Sequence, residues 1–66
     1  MFSIFLTNEY RKELVASFDA IEDALDYANT TMKAIYIEED EDCPGFYDFV
    51  ANFRGICVPY SIEITG

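Results

Sequence analysis

The first third of the chain alternates between apolar and polar side chains, which is the pattern of a half-buried β-strand. In residues 2–7, one side of the predicted strand carries Phe2, Ile4 and Leu6. In residues 13–18, one side carries Leu14, Ala16 and Phe18. The two segments are predicted to form a hairpin. A helix over residues 8–32 is the alternative, because apolar residues there also recur at spacings of three and four.

A helix is predicted from Asp19 to about Thr31. Asp19 and Glu22 resemble a capping box, and acidic residues in the first turn suit the positive end of the helix dipole. Weak helix formers at residues 29–31 indicate where it ends. An apolar stripe at helical spacing must pack against another element, and it consists of Ile21, Ala24, Leu25, Ala28 and Met32.

Three further strands are predicted after the helix: Ala34–Ile37, Phe46–Ala51 and an alternating segment that begins at Ile56. In the middle strand, the residues predicted to face one way are Tyr47, Phe49 and Ala51. In the last strand, one face carries Ile56, Val58, Tyr60, Ile62 and Ile64. Pro59 cannot donate to a ladder, which predicts that the last strand lies at a sheet edge or is bulged there.

The element order β-β-α-β-β-β predicts an α+β fold, a small antiparallel sheet with one helix packed on a face. The sequence contains no internal repeat and no linker, so residues 1–66 are predicted to form a single domain. The chain is 52% hydrophobic and 17% aromatic, which is typical of a folded domain and not of a disordered acidic tail. Its core is small, so we expect either a marginally stable monomer or a homodimer.

The composition also restricts the function. The chain contains no His, which removes imidazole bases, the usual nucleophile–base pairs and ordinary zinc sites. We therefore expect no enzymatic activity, no metal and no cofactor. The short apolar start and the absence of a long apolar segment predict a cytoplasmic protein that does not contact membranes. In that compartment Cys43 and Cys57 are expected to be free thiols, with a disulfide as the alternative.

The net charge is concentrated in one part of the chain. Thirteen acidic and four basic residues give a formal charge of −9. Residues 19–48 hold ten of the acids and a single cation, Lys33, so this window carries the whole net charge. Five of its carboxylates are consecutive, from Glu38 to Asp42. Such a charge repels nucleic acid and anionic lipid, so we expect no direct nucleic-acid binding and a basic protein partner.

One interpretation is that these acids compete with nucleic acid for a basic groove. Carboxylates at helical or strand spacing lie about 6 to 7 Å apart, close to the phosphate spacing of one DNA strand. The other interpretation is that the charge only keeps a cytosolic domain soluble. The candidate contact residues of the first interpretation are Glu22, Asp23, Asp26, Glu38, Glu39, Asp40, Glu41, Asp42, Tyr36 and Tyr47.

A divalent-cation site is a further alternative. Asp40, Asp42, Gly45 and Asp48 match ligand and turn positions of a calcium-binding EF-hand loop. Ala51 stands where that loop requires a bidentate Glu, and the flanking segments read as strands, so the match predicts at most weak association with calcium.

With FDAIEDALDY on its predicted helix and EEDED after its third predicted strand, this small His-free acidic chain resembles phage-encoded anti-CRISPR proteins. It resembles those that act on type I surveillance complexes and, more loosely, the DNA-mimicking anti-restriction proteins. The resemblance implies stoichiometric binding to the DNA-entry or PAM-reading surface of the large subunit of a CRISPR complex, in the cytoplasm of a host bacterium. Such binding blocks target DNA without cleaving it.

Overall fold

The computed structural model describes residues 1–7 and 12–65, and within them the chain forms five strands and one helix. The elements are β1 (Phe2–Thr7), β2 (Lys12–Phe18), α1 (Ile21–Thr30), β3 (Ala34–Glu39), β4 (Tyr47–Phe53) and β5 (Ile56–Ile64). The strands form one antiparallel sheet in the order β2-β1-β5-β4-β3. The predicted α+β class and element order are confirmed.

The first third of the chain is the predicted hairpin, because β1 pairs antiparallel with β2. The alternative helix is therefore wrong over residues 12–18, and its residues 8–11 lie outside the described part of the chain. Ile4 is opposite Ala16 but Phe5 is opposite Leu14, so Val15 is the extra residue of a β-bulge. The bulge puts Leu14 on the face of Phe5, where it is 61% exposed, so its predicted place beside Ala16 and Phe18 is wrong.

The helix begins two residues later than predicted. Ala20 is its N-cap in an extended conformation and no side chain caps the helix, so the predicted capping box is wrong. The reason is that the first helical hydrogen bond runs from the Ala24 N–H to the Ala20 carbonyl, which makes Ala20 the cap and leaves Asp19 one position too early. The end agrees with the prediction to within one residue, since the N–H groups of Thr31 and Met32 both bond to the carbonyl of Tyr27.

The core lies between α1 and one face of the sheet. The helix follows β2 at one edge and leads to β3 at the other, and it contacts β1, β2 and β3. Ala24 and Ala28 are fully buried because their small side chains let the helix approach the strands closely. The fully buried residues include Ile4, Phe49 and Ile62, and the partly buried ones packed against them include the rest of the predicted helical stripe, Ile21, Leu25 and Met32. We call the covered side the helix face and the other side the open face.

The last strand is central in the sheet, so its predicted edge position is wrong. β5 pairs with β4 from Ile56 to Ile62 and with β1 from Tyr60 to Ile64. The Pro59 carbonyl points toward β1, where it accepts a hydrogen bond from the Thr7 hydroxyl. The Pro59 nitrogen, which has no hydrogen, points the same way, just beyond the residues of β5 that pair with β1. Proline is tolerated because no ladder hydrogen bond is lost there. The predicted alternation is confirmed at Tyr60 and Ile62, which face the core, whereas Ile56 and Ile64 lie beyond the helix and are exposed.

The open face is held together by hydroxyl groups. The Ser3 hydroxyl lies 2.9 Å from the Ser17 hydroxyl and 2.7 Å from the Thr65 hydroxyl. The Ser61 hydroxyl donates to Glu63, whose carboxylate also forms an ion pair with Lys12. Ser3 and Ser61 are buried by the neighbouring side chains, although no helix covers them. Their burial is tolerated because each hydroxyl has a hydrogen-bond partner.

Candidate protein-binding surface

The three acids proposed on the helix point in different directions. Asp23 lies one turn before Tyr27, whose ring is 5.3 Å from the ring of Phe18 in β2, so Asp23 is on the flank toward β2. Glu22 is on the other flank, because its charge acts on Tyr47 of β4. Asp26 follows Glu22 by one turn, on the exposed side. Glu22 and Asp26 therefore lie on the same side of the helix, and Asp23 lies on a different side.

Tyr47 joins the helix acids to the end of β3. In the sheet Tyr47 is directly opposite Glu39, and both are on the helix face. Burial raises the pKa of the Tyr47 hydroxyl, and so do the charge of Glu39, hydrogen bonding with its side chain, and the charge of Glu22. Each of these effects disfavours the phenolate. The structure thus brings Glu22 and Glu39 near one tyrosine, and we call these three residues the acidic corner.

Two carboxylates, one at the end of β3 and one in the loop that follows, accept hydrogen bonds from the loop backbone. The Gly45 N–H donates to Glu39 at 3.2 Å, and the Asp42 N–H donates to Asp40 at 2.9 Å. The Asp40 N–H donates to the carbonyl of Phe46 at 2.8 Å and closes the loop. Glu41 and Asp42 are exposed, and their side chains make no hydrogen bond with the described residues. The freely available charge of the loop is therefore on Glu41 and Asp42.

Glu38 and Tyr36 lie on the open face, away from the acidic corner. Tyr36 is opposite Val50 and Glu38 is opposite Asp48, so two carboxylates meet directly across β3 and β4. Tyr36 is 55% exposed, so it is accessible to a partner. Nine of the ten candidate residues thus lie around the β3 edge of the sheet, on both faces, and Asp23 is set apart toward β2.

None of the candidate acids forms an ion pair within residues 1–7 and 12–65. Lys33, which is the single cation of the acidic window, lies at the other end of α1 from Glu22. Lys33 also precedes the first residue of β3, so the acids at the last residues of β3 and in the loop after it lie at the opposite end of the strand from this cation, and none of them is ion-paired in the described ranges. Such a surface attracts a basic partner over a distance set by the ionic strength.

The sequence did not reveal a groove at the C-terminal end of the helix. Its volume is about 410 Å³, and it lies between the end of α1, the tip of the β4–β5 hairpin and the bulge of β2. Lys33 and Arg54 are among its lining residues. We call it the C-terminal groove. Its residues are distant in the sequence and come together only through strand pairing, so no local pattern could have indicated it.

Further observations concern the two cysteines, the divalent-cation site and membrane contact. Cys43 and Cys57 are free and exposed. In the part of the chain that the structure describes, no group of three His, Cys, Asp or Glu side chains could hold a metal ion. The EF-hand-like segment is flanked by strands, with Asp48 inside β4. Among the described residues, no helical segment has the length and apolar character of a membrane span.

Comparison of the chain with protein-family models, with curated proteins and with solved structures finds no match.

Proposed function

We propose that this protein is an inhibitor that occupies the DNA-binding site of a basic protein complex through the acids around its β3 edge. The partner class that we favour is the large subunit of a type I CRISPR surveillance complex, at its DNA-entry or PAM-reading surface. The observation that carries the proposal is the set of unpaired carboxylates around one edge of a 66-residue domain. The acids would stand in for phosphates, and binding would be fast and sensitive to salt.

The energetic cost of this surface supports the proposal. Glu38 and Asp48 are directly opposite each other across β3 and β4, which is a destabilising arrangement for like charges. Glu22 and Asp26 repel each other at one-turn spacing on α1. A small domain with little stability to spare keeps these repulsions, although a single basic substitution would relieve each of them. A use for the negative field explains why they are retained.

Two tyrosines add contact area to the charge. Tyr36 is exposed on the open face, and Tyr47 is partly buried within the acidic corner. Tyrosine contributes a large, rigid contact at low entropic cost, and interface hot spots are enriched in it. The aromatic rings beside the acids provide apolar contacts that charge alone does not.

The test is a competition experiment with purified type I CRISPR complexes and a fluorescent DNA duplex that carries the PAM. We expect the protein to prevent DNA binding at a one-to-one ratio, as measured by fluorescence anisotropy. Asp42→Lys should weaken this inhibition by about tenfold, because the substitution reverses an exposed charge that holds no backbone group. Affinity should fall as NaCl is raised.

The matched control is Asp19→Lys, which makes the same change in net charge at an exposed residue that directly follows β2. β2 and β3 are the two edges of the sheet, about 19 Å apart at 4.8 Å per strand. Thermal unfolding of both variants shows whether the fold is kept. Equal effects of the two substitutions would show that total charge matters and the β3 edge does not. Failure to inhibit any complex would leave the charge as a solvated surface.

A further inference from the structure

We propose that the C-terminal groove binds a small amphipathic anion, a molecule with an aromatic body and a carboxylate head group. This inference is independent of the acidic surface, which lies at the other end of α1. It rests on the size of the groove, on its aromatic lining and on the two cations at its rim.

The groove has the dimensions and lining of a ligand site. Its volume of about 410 Å³ falls within the range of about 300 to 1,000 Å³ that is typical of small-molecule pockets. Ala51 forms part of its floor, and Ala51 is almost fully buried beneath the helix. The larger apolar and aromatic residues that line it are Val15, Tyr27, Met32, Phe53 and Tyr60. These side chains suit a flat aromatic body.

The charge of the groove is opposite to that of the chain. Lys33 and Arg54 are two of the four basic residues, and no acidic residue in the described ranges lines the groove. Neither of them forms an ion pair with any residue that the structure describes. The Arg54 guanidinium lies 5.4 Å from the centre of the Phe53 ring, which holds it at the rim. Two unpaired cations beside apolar walls complement an anionic head group.

Both cations lie in turns. Lys33 has φ of 55° and Arg54 has φ of 53°, and within residues 1–7 and 12–65 they are the non-glycine residues with positive φ. Lys33 belongs to the turn that follows α1, and Arg54 precedes Gly55 in the turn between β4 and β5, where positive φ is an ordinary conformation. The two turns place both cations at the rim of the groove.

The charged side chains that line the groove are both cations. The C-terminus of α1 contributes about half a negative charge at the groove, against two full positive charges. Asp26 precedes Thr31 by five residues, about 8 Å along a helix that rises 1.5 Å per residue. Asp23 precedes Tyr27 by one turn, but both acids are exposed and neither lines the groove. A head group in the groove is therefore closer to Lys33 and Arg54 than to these acids. A second copy of this chain is a poor occupant, because each copy carries a formal charge of −9.

The experiment uses 2-naphthoate as the probe and 2-naphthamide as its neutral counterpart of the same shape. Each is titrated into the ¹⁵N-labelled full chain, and amide shifts are followed by NMR. We expect 2-naphthoate to bind with a dissociation constant of about 1 mM or lower and to shift residues 27–33 and 51–54. The amide should bind at least about tenfold more weakly, because it lacks the charge.

Variants locate the site. Lys33→Gln and Arg54→Gln should each weaken 2-naphthoate binding several-fold. The control is Lys12→Gln, because Lys12 forms an ion pair with Glu63 and does not line the groove. This variant should bind 2-naphthoate as the wild-type protein does. Equal binding of the two probes would overturn the proposal, and this comparison needs no variant. Shifts confined to the open face would also overturn it. So would a dimer, detected by sedimentation, in which the groove is already covered.

Discussion

At the scale of single residues, Gly45 combines a left-handed conformation, which favours glycine, with a close approach to a side chain of the last strand. Its φ is +91°, and a Cβ built there would lie 2.6 Å from the Cδ1 atom of Ile64. Its N–H also donates to Glu39, so it fixes the loop that carries the acidic run. The turn was predictable from its sequence, but the contact with Ile64 was not, because Ile64 belongs to the last strand.

Gly45→Ala should lower the free energy of unfolding by about 1 to 2 kcal/mol, because the left-handed conformation and the overlap both disfavour a Cβ. Thermal or urea unfolding, followed by circular dichroism, measures the change. Ile64→Val removes the Cδ1 atom, so the double variant should regain part of the loss. If the two substitutions are additive, the contact with Ile64 does not contribute.

Tyr47 should couple stability to alkaline pH. Its pKa is raised above the ordinary value of 10.0, by burial first and then by Glu39 and Glu22. The folded protein therefore holds the phenolic proton more tightly than the unfolded chain. Its contribution to stability is complete below pH 10 and is lost as the pH rises through the raised pKa. Unfolding measured between pH 9 and 12 should show this loss.

Tyr47→Phe is the control for the titration, because the other four tyrosines remain. The variant should lose less stability than the wild-type protein between pH 10 and pH 12. An identical decline in both proteins would show that the acidic corner does not hold the proton of Tyr47.

At the scale of secondary-structure elements, β3 and β4 are paired in a register that opposes two carboxylates. Glu38 faces Asp48 on the open face, where both are exposed. The repulsion is a property of the pair of strands, and neither residue reveals it alone. The β-bulge at Ile35 sets this register, because the strands step from Ala34 opposite Ala51 to Tyr36 opposite Val50.

Asp48→Lys should stabilise the fold by about 0.5 kcal/mol, since it converts a repulsive cross-strand pair into an attractive one. For a domain of this size the melting temperature should rise by about 2 to 4 °C. Asp48→Asn removes the repulsion without adding attraction and should give an intermediate value. A lysine variant no more stable than the asparagine variant would show that the two side chains do not interact.

At the scale of the whole molecule, the charge is divided between two ends of the helix. Unpaired acids surround the β3 edge, and two unpaired cations lie at the C-terminal groove, within the described ranges. Addition of salt screens the repulsion among the acids, which outweighs the attraction between opposite charges in a chain with a formal charge of −9. Stability should therefore increase with ionic strength.

The melting temperature should rise by a few degrees between about 10 mM and 500 mM NaCl, a range over which the screening length falls from about 30 Å to below 8 Å. Differential scanning calorimetry at pH 7 measures it. The double variant Glu41→Gln/Asp42→Asn should respond less to salt, because it carries two fewer charges in the acidic run. A melting temperature that falls with NaCl would contradict a fold limited by its own charge.

The sequence alone determined the α+β class, the element order and the buried stripe of the helix, because each follows from a local period of apolar residues. It also located the net charge, which needs only counting. Tertiary structure decided what depends on register and strand order. It made β5 central despite Pro59, turned Leu14 outward through a bulge, and brought Glu22 and Glu39 together at Tyr47 while placing Glu38 on the other face. It also assembled the C-terminal groove. These features depend on contacts between residues far apart in the chain. The strand order and register are selected by the free energy of the whole sheet and core, which no local segment of the sequence contains.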